Sequence, residues 1–444
     1  MLASRLQRAR PTPLSERYSA RRNAFGTLRV ALAVGVIVAH AWPLGFGRPA
    51  PGHGLSSGQS DLGALSLYGF FFVSGFLITD SGLRSSFTQF VRARLLRVFP
   101  GLWVCLLVTA FVFAPFVALV ERGTLNGFWS HPQGPVEYVR TNWFASMEQF
   151  PISGLLSSTP FGQLGGGPSA FDGSLWTLRY DLAFYAVVAV LIGTAVLSRA
   201  PRAVLLLTGG CYLLILRDVL TAPDWTSRPP AHGAVGPFPL IGSFAADWML
   251  HLGFLFLFGA VLRLYAHRVP MDGRIATVAA VVTVGTLGWG GFYAIGLPAF
   301  TYLLLYVAVA APDRFARHAR RHDYTYGLYI YSFPVQQVVA LLGGNRFGIT
   351  AYVLLSVLGT LLFAVPSWHL VERPALRWKA AALPGRHRQR HHPVAAEPRH
   401  PAPTVAEEAD REPTPTVTEG DRRPALTVAE PAGPFASAQA TGRS

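Results

Sequence analysis

The first long apolar stretch of the chain reads Leu28-Arg29-Val-Ala-Leu-Ala-Val-Gly-Val-Ile-Val-Ala-His40. Its polar side chains are the guanidinium of Arg29 and the imidazole of His40. Eleven residues of separation are almost three helical turns, so both side chains lie on one face, roughly 16 Å apart along the axis. Ionisable groups inside a membrane helix are costly and face the protein interior or a wet cavity. The pair is therefore a candidate functional site.

The composition is that of a membrane protein with many helical spans. Of the 444 residues, 51% are hydrophobic and 14% are charged, whereas about 25% of a typical soluble domain is charged. Long apolar runs alternate with short arginine-rich loops, as in polytopic helical membrane proteins. The net charge of +15 does not indicate a nucleic-acid partner, because the arginines are spread over alternate loops. Two cysteines within apolar runs indicate neither a disulfide framework nor a metal site.

The predicted fold is all-α, a polytopic membrane protein with about ten transmembrane helices. The predicted spans cover residues 24–46, 62–83, 98–120, 174–197, 202–220, 246–265, 274–293, 295–312, 324–342 and 349–371.

The arginines predict the orientation of these spans. Arginine clusters precede the first span, follow the tenth, and occupy every second connection between them. With ten spans all of these clusters lie on one side, so the positive-inside bias predicts that both termini are cytoplasmic. Residues 121–173 and 221–245 then form long outer connections, which often carry binding surfaces.

Three segments follow from this topology. Residues 1–23 are predicted to be a basic cytoplasmic N-terminus, and residues 24–378 a membrane domain. Residues 379–444 are rich in Pro, Ala, Glu and Arg and nearly lack aromatic residues, so they cannot bury enough apolar surface to fold. A disordered cytoplasmic tail is expected there.

A second polar group opens the fourth span, in Ser174-Leu-Trp176-Thr-Leu-Arg-Tyr-Asp181-Leu-Ala-Phe184-Tyr185. Counted along the helices, Asp181 lies roughly 10 Å and His40 roughly 9 Å below the outer surface. A histidine is a natural general base near neutral pH, and a carboxylate at the same depth could orient it. We therefore predict a catalytic dyad of His40 and Asp181. The alternatives are a structural pair of Asp181 with Arg179 or another basic group, and polar groups that only lock helix packing.

A third group, Phe90-Val-Arg92-Ala-Arg94-Leu-Leu-Arg97-Val-Phe-Pro100, lies at the predicted cytoplasmic start of the third span. Arg94 and Arg97 are three residues apart and share a helix face. They could clamp a nucleotide phosphate, since arginine matches phosphate geometry. Anchoring by the positive-inside bias explains them equally well.

Seven motifs, taken in order, resemble acyltransferase family 3, the integral-membrane acyltransferases that include bacterial O-antigen acetylases. The resemblance covers about residues 23–378. The motifs are Leu28-Arg29 with His40; Phe71-Phe72-Val-Ser74-Gly75-Phe-Leu-Ile-Thr79; the Arg92–Pro100 stretch; the Trp176–Tyr185 stretch; Phe256-Leu-Phe-Gly259; Tyr326-Gly-Leu-Tyr-Ile-Tyr-Ser-Phe-Pro334; and Leu370-Val-Glu372-Arg-Pro374.

The resemblance implies an acyl-CoA donor, with acetyl-CoA the expected one, bound from the cytoplasm without a metal. It implies acceptor hydroxyls on an extracytoplasmic glycan or a lipid-linked sugar, and a multi-pass location in the plasma membrane. Arg29 and His40 match the family's essential pair, and Arg94 and Arg97 match its paired arginines, so Arg29, Arg94 and Arg97 are expected to hold the coenzyme A phosphates. Two positions depart from the family pattern, because Gly26 stands where an acidic residue is usual and Asp181 where glutamate is usual.

Trp176, Tyr185 and Ser74, all within these motifs, are predicted to line the substrate pocket, although aromatic residues near a membrane interface often serve packing. The predicted function is transfer of an acyl group from acyl-CoA to a glycan hydroxyl. One alternative is a macrolide-type O-acyltransferase acting on small molecules. Another is a transporter or exporter that uses the buried Arg, His and Asp. Inverted repeats would favour the transporter, and none is visible in the sequence.

Overall fold

The computed structural model describes residues 11–20, 23–226, 228–229, 232–312 and 323–381. These residues form a bundle of helices with two short two-stranded ribbons. The arginines of residues 1–10, 21–22 and 313–322, and the predicted tail from residue 382 onward, lie outside the described residues. The prediction that the tail is disordered therefore stays a prediction.

Helices cover all ten predicted spans. They are α1 (Phe25–Phe46), α2 (Leu62–Gly82), α3 (Phe87–Val108), α4 (Leu178–Gly193), α5 (Pro201–Thr221), α6 (Ala246–Leu264), α7 (Gly273–Trp289), α8 (Leu297–Ala310), α9 (Thr325–Leu341) and α10 (Gly348–Pro366). Shorter helical segments extend four of these helices. Thr109–Phe113 and Ala114–Arg122 follow α3, Leu175–Thr177 precedes α4, and Phe292–Gly296 precedes α8. Gly344–Phe347 precedes α10, and Ser367–Glu372 and Arg373–Ala381 follow α10.

Eight helices in the described part of the chain are long and apolar enough to cross a membrane. The other two, α7 and α9, have 17 residues each, which corresponds to about 25 Å of helix. The fold is thus that of a multi-pass helical membrane protein, and the all-α prediction is confirmed at that level.

The third helix is much longer than predicted. It begins at Phe87 and, with its extensions, reaches Arg122 over 36 residues, whereas the sequence pattern predicted a start at residue 98. The true start is a capping box, in which Ser86 accepts from the backbone N–H of Gln89 while the Gln89 side chain accepts from the Ser86 N–H. The arginines at positions 92–97 interrupt the apolar run but not the helix. Arg94 and Arg97 therefore lie inside α3 and project into the bundle.

Two glycines bring α2 and α6 into backbone contact. A Cβ atom at Gly75 would lie 1.9 Å from the carbonyl oxygen of Phe256, and one at Gly259 would lie 2.3 Å from that of Phe72. Small residues at such crossings let membrane helices pack closely. Both glycines belong to motifs that carry the family resemblance, so part of that signal reflects helix packing.

The segments outside the long helices are also folded. Thr12–Pro13 pairs with Pro270–Met271, and Ala234–Phe238 pairs with Gly242–Ala245, both antiparallel. Short helices are Leu14–Arg17, Pro135–Asn142, Pro160–Gly165 and Val196–Arg199. Leu14 is fully buried, so part of the predicted N-terminal segment packs onto the turn between α6 and α7. The connection 121–173 buries Phe128, Tyr138 and Ile152 and therefore forms a packed layer.

Candidate active site

Three neighbouring cavities run through the bundle, and the eight predicted site residues all line them. The arginine cavity, of about 270 Å³, is lined by Arg94, Leu77, Asp323 and their neighbours. The neck cavity, of about 80 Å³, contains Asp181. The histidine cavity, of about 340 Å³, contains His40 and Trp176.

Neighbouring cavities have lining residues in common. The arginine and neck cavities share Arg29, Ser74, Arg97 and Tyr185. The neck and histidine cavities share Leu67, Thr177 and Tyr329. The three cavities therefore adjoin one another in order between Arg29 and His40.

Asp323, two residues before the start of α9, is paired with two of the predicted arginines. Its Oδ2 lies 3.2 Å from Nη1 of Arg29 and 2.7 Å from Nη2 of Arg97. Burial alone would raise the pKa of Asp323, but the charges of Arg29 and Arg97 outweigh it and hold the pKa well below its ordinary value. Arg97 also lies 3.8 Å from Oε2 of Glu372. Arg29 and Arg97 are thus paired with carboxylates across α1, α3 and the ends of α9 and α10.

Arg94 differs from the other two arginines. Its guanidinium lies 5.6 Å from the ring centroid of Phe90 and 5.9 Å from that of Tyr185. Its Nε is buried without a hydrogen-bond partner, and the described residues offer it no ion pair. A cation held against aromatic rings in a cavity is well suited to bind an anion, because its hydrogen-bond donors are free.

The neck cavity ends at a hydrogen-bonded junction. The hydroxyls of Tyr329 and Thr177 bond to each other, and Tyr329 also donates to the backbone carbonyl of Ser174. These residues come from α9 and from the turn that leads into α4. Because Thr177 and Tyr329 line both adjoining cavities, their contact separates the neck from the histidine cavity.

His40 lies in a cavity with a different carboxylate from the one predicted. Its Nδ1 is buried and has no hydrogen-bond partner among the described residues, and its ring packs edge-on against Phe333 at 5.4 Å. Asp61, the N-cap of α2, lines the same cavity and acts electrostatically on His40. A Cβ atom at Gly63 would lie 3.2 Å from the Cβ of Ala39, so the start of α2 packs beside the turn that carries His40.

The expected dyad of His40 and Asp181 is not formed. Asp181 lines the neck cavity, where the charges of Arg29 and Arg94 act on it. The residues of the α4 region that reach the histidine cavity are Ser174, Trp176 and Thr177. Asp181 follows Thr177, the last of these residues, by four positions, so it lies about one helical turn too far along α4.

The alternative pair of Asp181 with Arg179 is absent as well. Arg179 donates to the carbonyl oxygens of Ser243 at 2.6 Å and Met147 at 3.1 Å. It therefore ties α4 to both long connections.

The histidine cavity has an aromatic wall. The rings of Trp176 and Trp248 are 5.0 Å apart with an angle of 61° between them, and the guanidinium of Arg228 lies 4.6 Å from the centroid of Trp248. Rigid indoles with few rotatable bonds are common walls of sites that bind amphipathic ligands.

A protein-family model described as an acyltransferase domain matches residues 22–369. The chain belongs to the acyltransferase 3 family. It is 28% identical to an "O-acetyl transferase" of Shigella phage Sf6 over 359 residues, which cover 79% of this chain and 95% of the relative. It is 26% identical to "Nodulation protein 10" of Rhizobium leguminosarum bv. viciae over 397 residues, which cover 84% of this chain and 98% of that protein. The comparison with solved structures found no match. The protein is a multi-pass membrane acyltransferase.

Several residues of this acyltransferase site were not singled out by sequence. Asp61 and Asp323 stand within two residues of the start of a membrane helix, and that position is the sequence signal that could have marked them. Arg228 and Trp248 could not be found in this way, because nothing in the local sequence relates the second long connection or the start of α6 to His40. The described residues contain no group of three His, Cys, Asp or Glu side chains placed to hold a metal ion.

Proposed function

We propose that this acyltransferase moves an acetyl group from acetyl-CoA to a hydroxyl of an extracytoplasmic or lipid-linked glycan. The observation that carries the proposal is the series of three cavities, which joins a cluster of arginines to a histidine through the bundle. The family supplies the acyl donor class, and the printed name of the phage relative supports acetyl transfer to oxygen.

The donor is assigned to the arginine cavity. Arg94 offers free hydrogen-bond donors to a phosphate. Arg29 and Arg97 add two guanidinium groups when the phosphate replaces Asp323 as their ion-pair partner. Arginine binds phosphate through paired, charge-assisted hydrogen bonds. The long arm of coenzyme A then runs through the neck toward His40, and the small neck volume suits a narrow arm with a small acyl group.

The acceptor is assigned to the histidine cavity. His40 removes the proton from the acceptor hydroxyl, whose oxygen attacks the thioester carbonyl. The new C–O bond forms as the C–S bond breaks, and the leaving thiolate of coenzyme A takes the proton from the imidazolium. Asp61, in the same cavity, stabilises the imidazolium while it carries that proton, which is the role of the acid in a hydrolase triad. The reaction requires that the contact of Thr177 with Tyr329 opens.

The proposed setting is the plasma membrane, crossed ten times, with the arginine cavity facing the cytoplasm. The arginine-rich connections support this orientation, because ten crossings bring all of them to one side. The resemblance to acyltransferases that include bacterial O-antigen acetylases supports a glycan acceptor over a macrolide-type small molecule.

The test replaces His40 with Ala in the purified, membrane-reconstituted protein. Acetyl transfer to glycan is followed by mass spectrometry, and coenzyme A binding is followed by calorimetry. We expect transfer to fall by about 10²- to 10⁴-fold, the usual contribution of a general base, with unchanged coenzyme A binding. A folded His40→Ala protein with full transfer would contradict the role of His40.

His251→Ala is the matched control. His251 is also a buried histidine of a membrane helix, bonded through Nδ1 to the carbonyl oxygen of Asp247 at 2.7 Å, and it lines none of the three cavities. Its folded variant should keep transfer. If both variants lose transfer equally, the loss reports damage to the bundle instead of base chemistry.

A further inference from the structure

Arg228 places an unpaired positive charge in the histidine cavity. Its side chain is exposed and lies over the Trp248 indole at 4.6 Å. It makes no hydrogen bond or ion pair with any residue that the structure describes. A guanidinium held over an indole ring keeps its five N–H donors available for a ligand.

The nearby acidic groups are engaged elsewhere. Asp61 lines the same cavity, but its Oδ1 accepts the Ala64 N–H at 2.8 Å as the cap of α2, and its charge acts on His40. Asp218 is held by Arg217 at 3.0 Å and by His232 at 2.7 Å. No carboxylate of the described residues, including Asp247 next to Trp248, lies within ion-pair distance of Arg228. The charge of Arg228 is therefore open to a ligand.

One acceptor molecule can reach Arg228 and His40 together, because both line a single cavity of about 340 Å³. Trp176 and Trp248 form an angled corner in that cavity, against which the apolar face of a sugar ring can pack. An acceptor held there presents a hydroxyl to His40 and another substituent to Arg228. A guanidinium selects planar or tetrahedral oxyanions, since it matches them with two parallel hydrogen bonds.

We propose that Arg228 is a specificity residue that binds an oxyanion of the acceptor, so that an acceptor that carries a carboxylate or a phosphate is preferred over a neutral one. This inference rests on the proposed function. The anion is a carboxylate of an acidic sugar or a phosphate of the lipid carrier, which share the oxyanion chemistry that a guanidinium recognises.

The experiment compares three acceptors with the full-length protein in nanodiscs. The first is a uronic-acid oligosaccharide, the second its carboxyl-reduced, neutral counterpart, and the third the neutral oligosaccharide linked to a polyprenyl diphosphate. The variants are Arg228→Gln and Arg228→Lys. Arg346→Gln is the matched control, because Arg346 lies near the same end of α1, next to Asn345, which bonds Gly45, and lines none of the three cavities.

We expect Arg228→Gln to lower kcat/KM for an anionic acceptor by about 10- to 100-fold, as loss of a charged hydrogen bond does, mainly through KM. Arg228→Lys should restore part of it, and the neutral oligosaccharide should be unaffected. Dependence on Arg228 with the uronic acid identifies a sugar carboxylate, and dependence with the diphosphate-linked acceptor alone identifies the carrier phosphate. An equal loss with all three acceptors, or no loss with either anionic one, would overturn the proposal.

Binding measured without donor separates this proposal from the proposed function. Thermal shift of the wild type and Arg228→Gln with the acidic and neutral oligosaccharides reports affinity alone. Binding that depends on Arg228 without any acetyl transfer would refute the acetyltransferase assignment and keep the anion site. If acetyl transfer continues and the acidic oligosaccharide binds equally well to the wild type and to Arg228→Gln, the anion site alone is refuted. The same protein with Arg346→Gln should match the wild type in both measurements.

Discussion

Replacing Asp323 with Asn should increase the affinity for the acyl-CoA donor and lower the folding stability of the ligand-free protein. The carboxylate bridges Arg29 at 3.2 Å and Arg97 at 2.7 Å. In the proposed function a donor phosphate binds these same guanidinium groups, so Asp323 competes with the donor. Asparagine keeps the shape of the side chain and removes the competing charge.

The magnitude follows from the exposure of this ion-pair cluster. Removing one partner of a buried ion pair costs about 3–5 kcal/mol. The Asp323 side chain is 30% exposed and that of Arg97 is 15% exposed, so water screens part of the effect and about 1–2 kcal/mol of folding stability should be lost. Relief of the same competition should lower the Kd of coenzyme A by about 5- to 30-fold, since 1.4 kcal/mol is a factor of ten.

The assay titrates coenzyme A, which carries the phosphates without an acyl group, into the wild type and Asp323→Asn by calorimetry. Because the pKa of Asp323 lies well below its ordinary value, the difference in Kd should stay constant from pH 6 to pH 8. Asp218→Asn is the matched control: its carboxylate is also buried between two basic side chains but lines none of the three cavities. It should lower the melting temperature and leave the Kd unchanged. Weaker coenzyme A binding by folded Asp323→Asn would refute the reasoning, because Asp323 would then organise the arginines for the donor.

Two further predictions concern stability. Gly75→Ala should destabilise the protein by about 1–3 kcal/mol or prevent folding, because its Cβ would lie 1.9 Å from the Phe256 carbonyl oxygen; Gly209→Ala, with open space around it, should be neutral or slightly stabilising in the same melting assay. Burial raises the pKa of Asp172 to about 8, despite hydrogen bonds from Ser174, so the protonated carboxyl stabilises the fold below the ordinary pKa and this contribution is lost as the pH rises toward 8. The melting temperature of Asp172→Asn should therefore gain on that of the wild type between pH 5 and pH 8, and a constant difference would contradict the prediction.

The local sequence was sufficient to predict the features that depend on helix geometry alone. Apolar runs of sufficient length predicted the helices, and the spacing of Arg29 and His40 placed both on one face of α1. The cost of polar groups in lipid predicted that both line cavities, and they do. These inferences needed no knowledge of which helices are neighbours.

The partners of those residues could not be predicted in the same way. Asp61, Asp323 and Arg228 stand outside the long helices, and each meets its target through packing between elements distant in sequence. The prediction that His40 pairs with Asp181 assumed that the C-terminal end of α1 and the N-terminal end of α4 lie at the same depth in the membrane. The turn Leu175–Thr177 breaks that assumption, since it fills the level of His40 with Trp176 and Thr177.

Asp181 and Asp61 lie in different cavities, and this separation distinguishes the proposed donor side of the site from the proposed acceptor side. Asp181 lies in the neck cavity, where the charges of Arg29 and Arg94 act on it, while Arg29 itself is paired with Asp323. Asp61 lies beyond the contact of Thr177 with Tyr329, with His40, where an imidazolium is proposed to form. The arginine and the histidine of α1 thus face different carboxylates on the two sides of the junction. A single shared dyad would have required donor and acceptor to meet at one acid, whereas this arrangement keeps them apart until the junction opens.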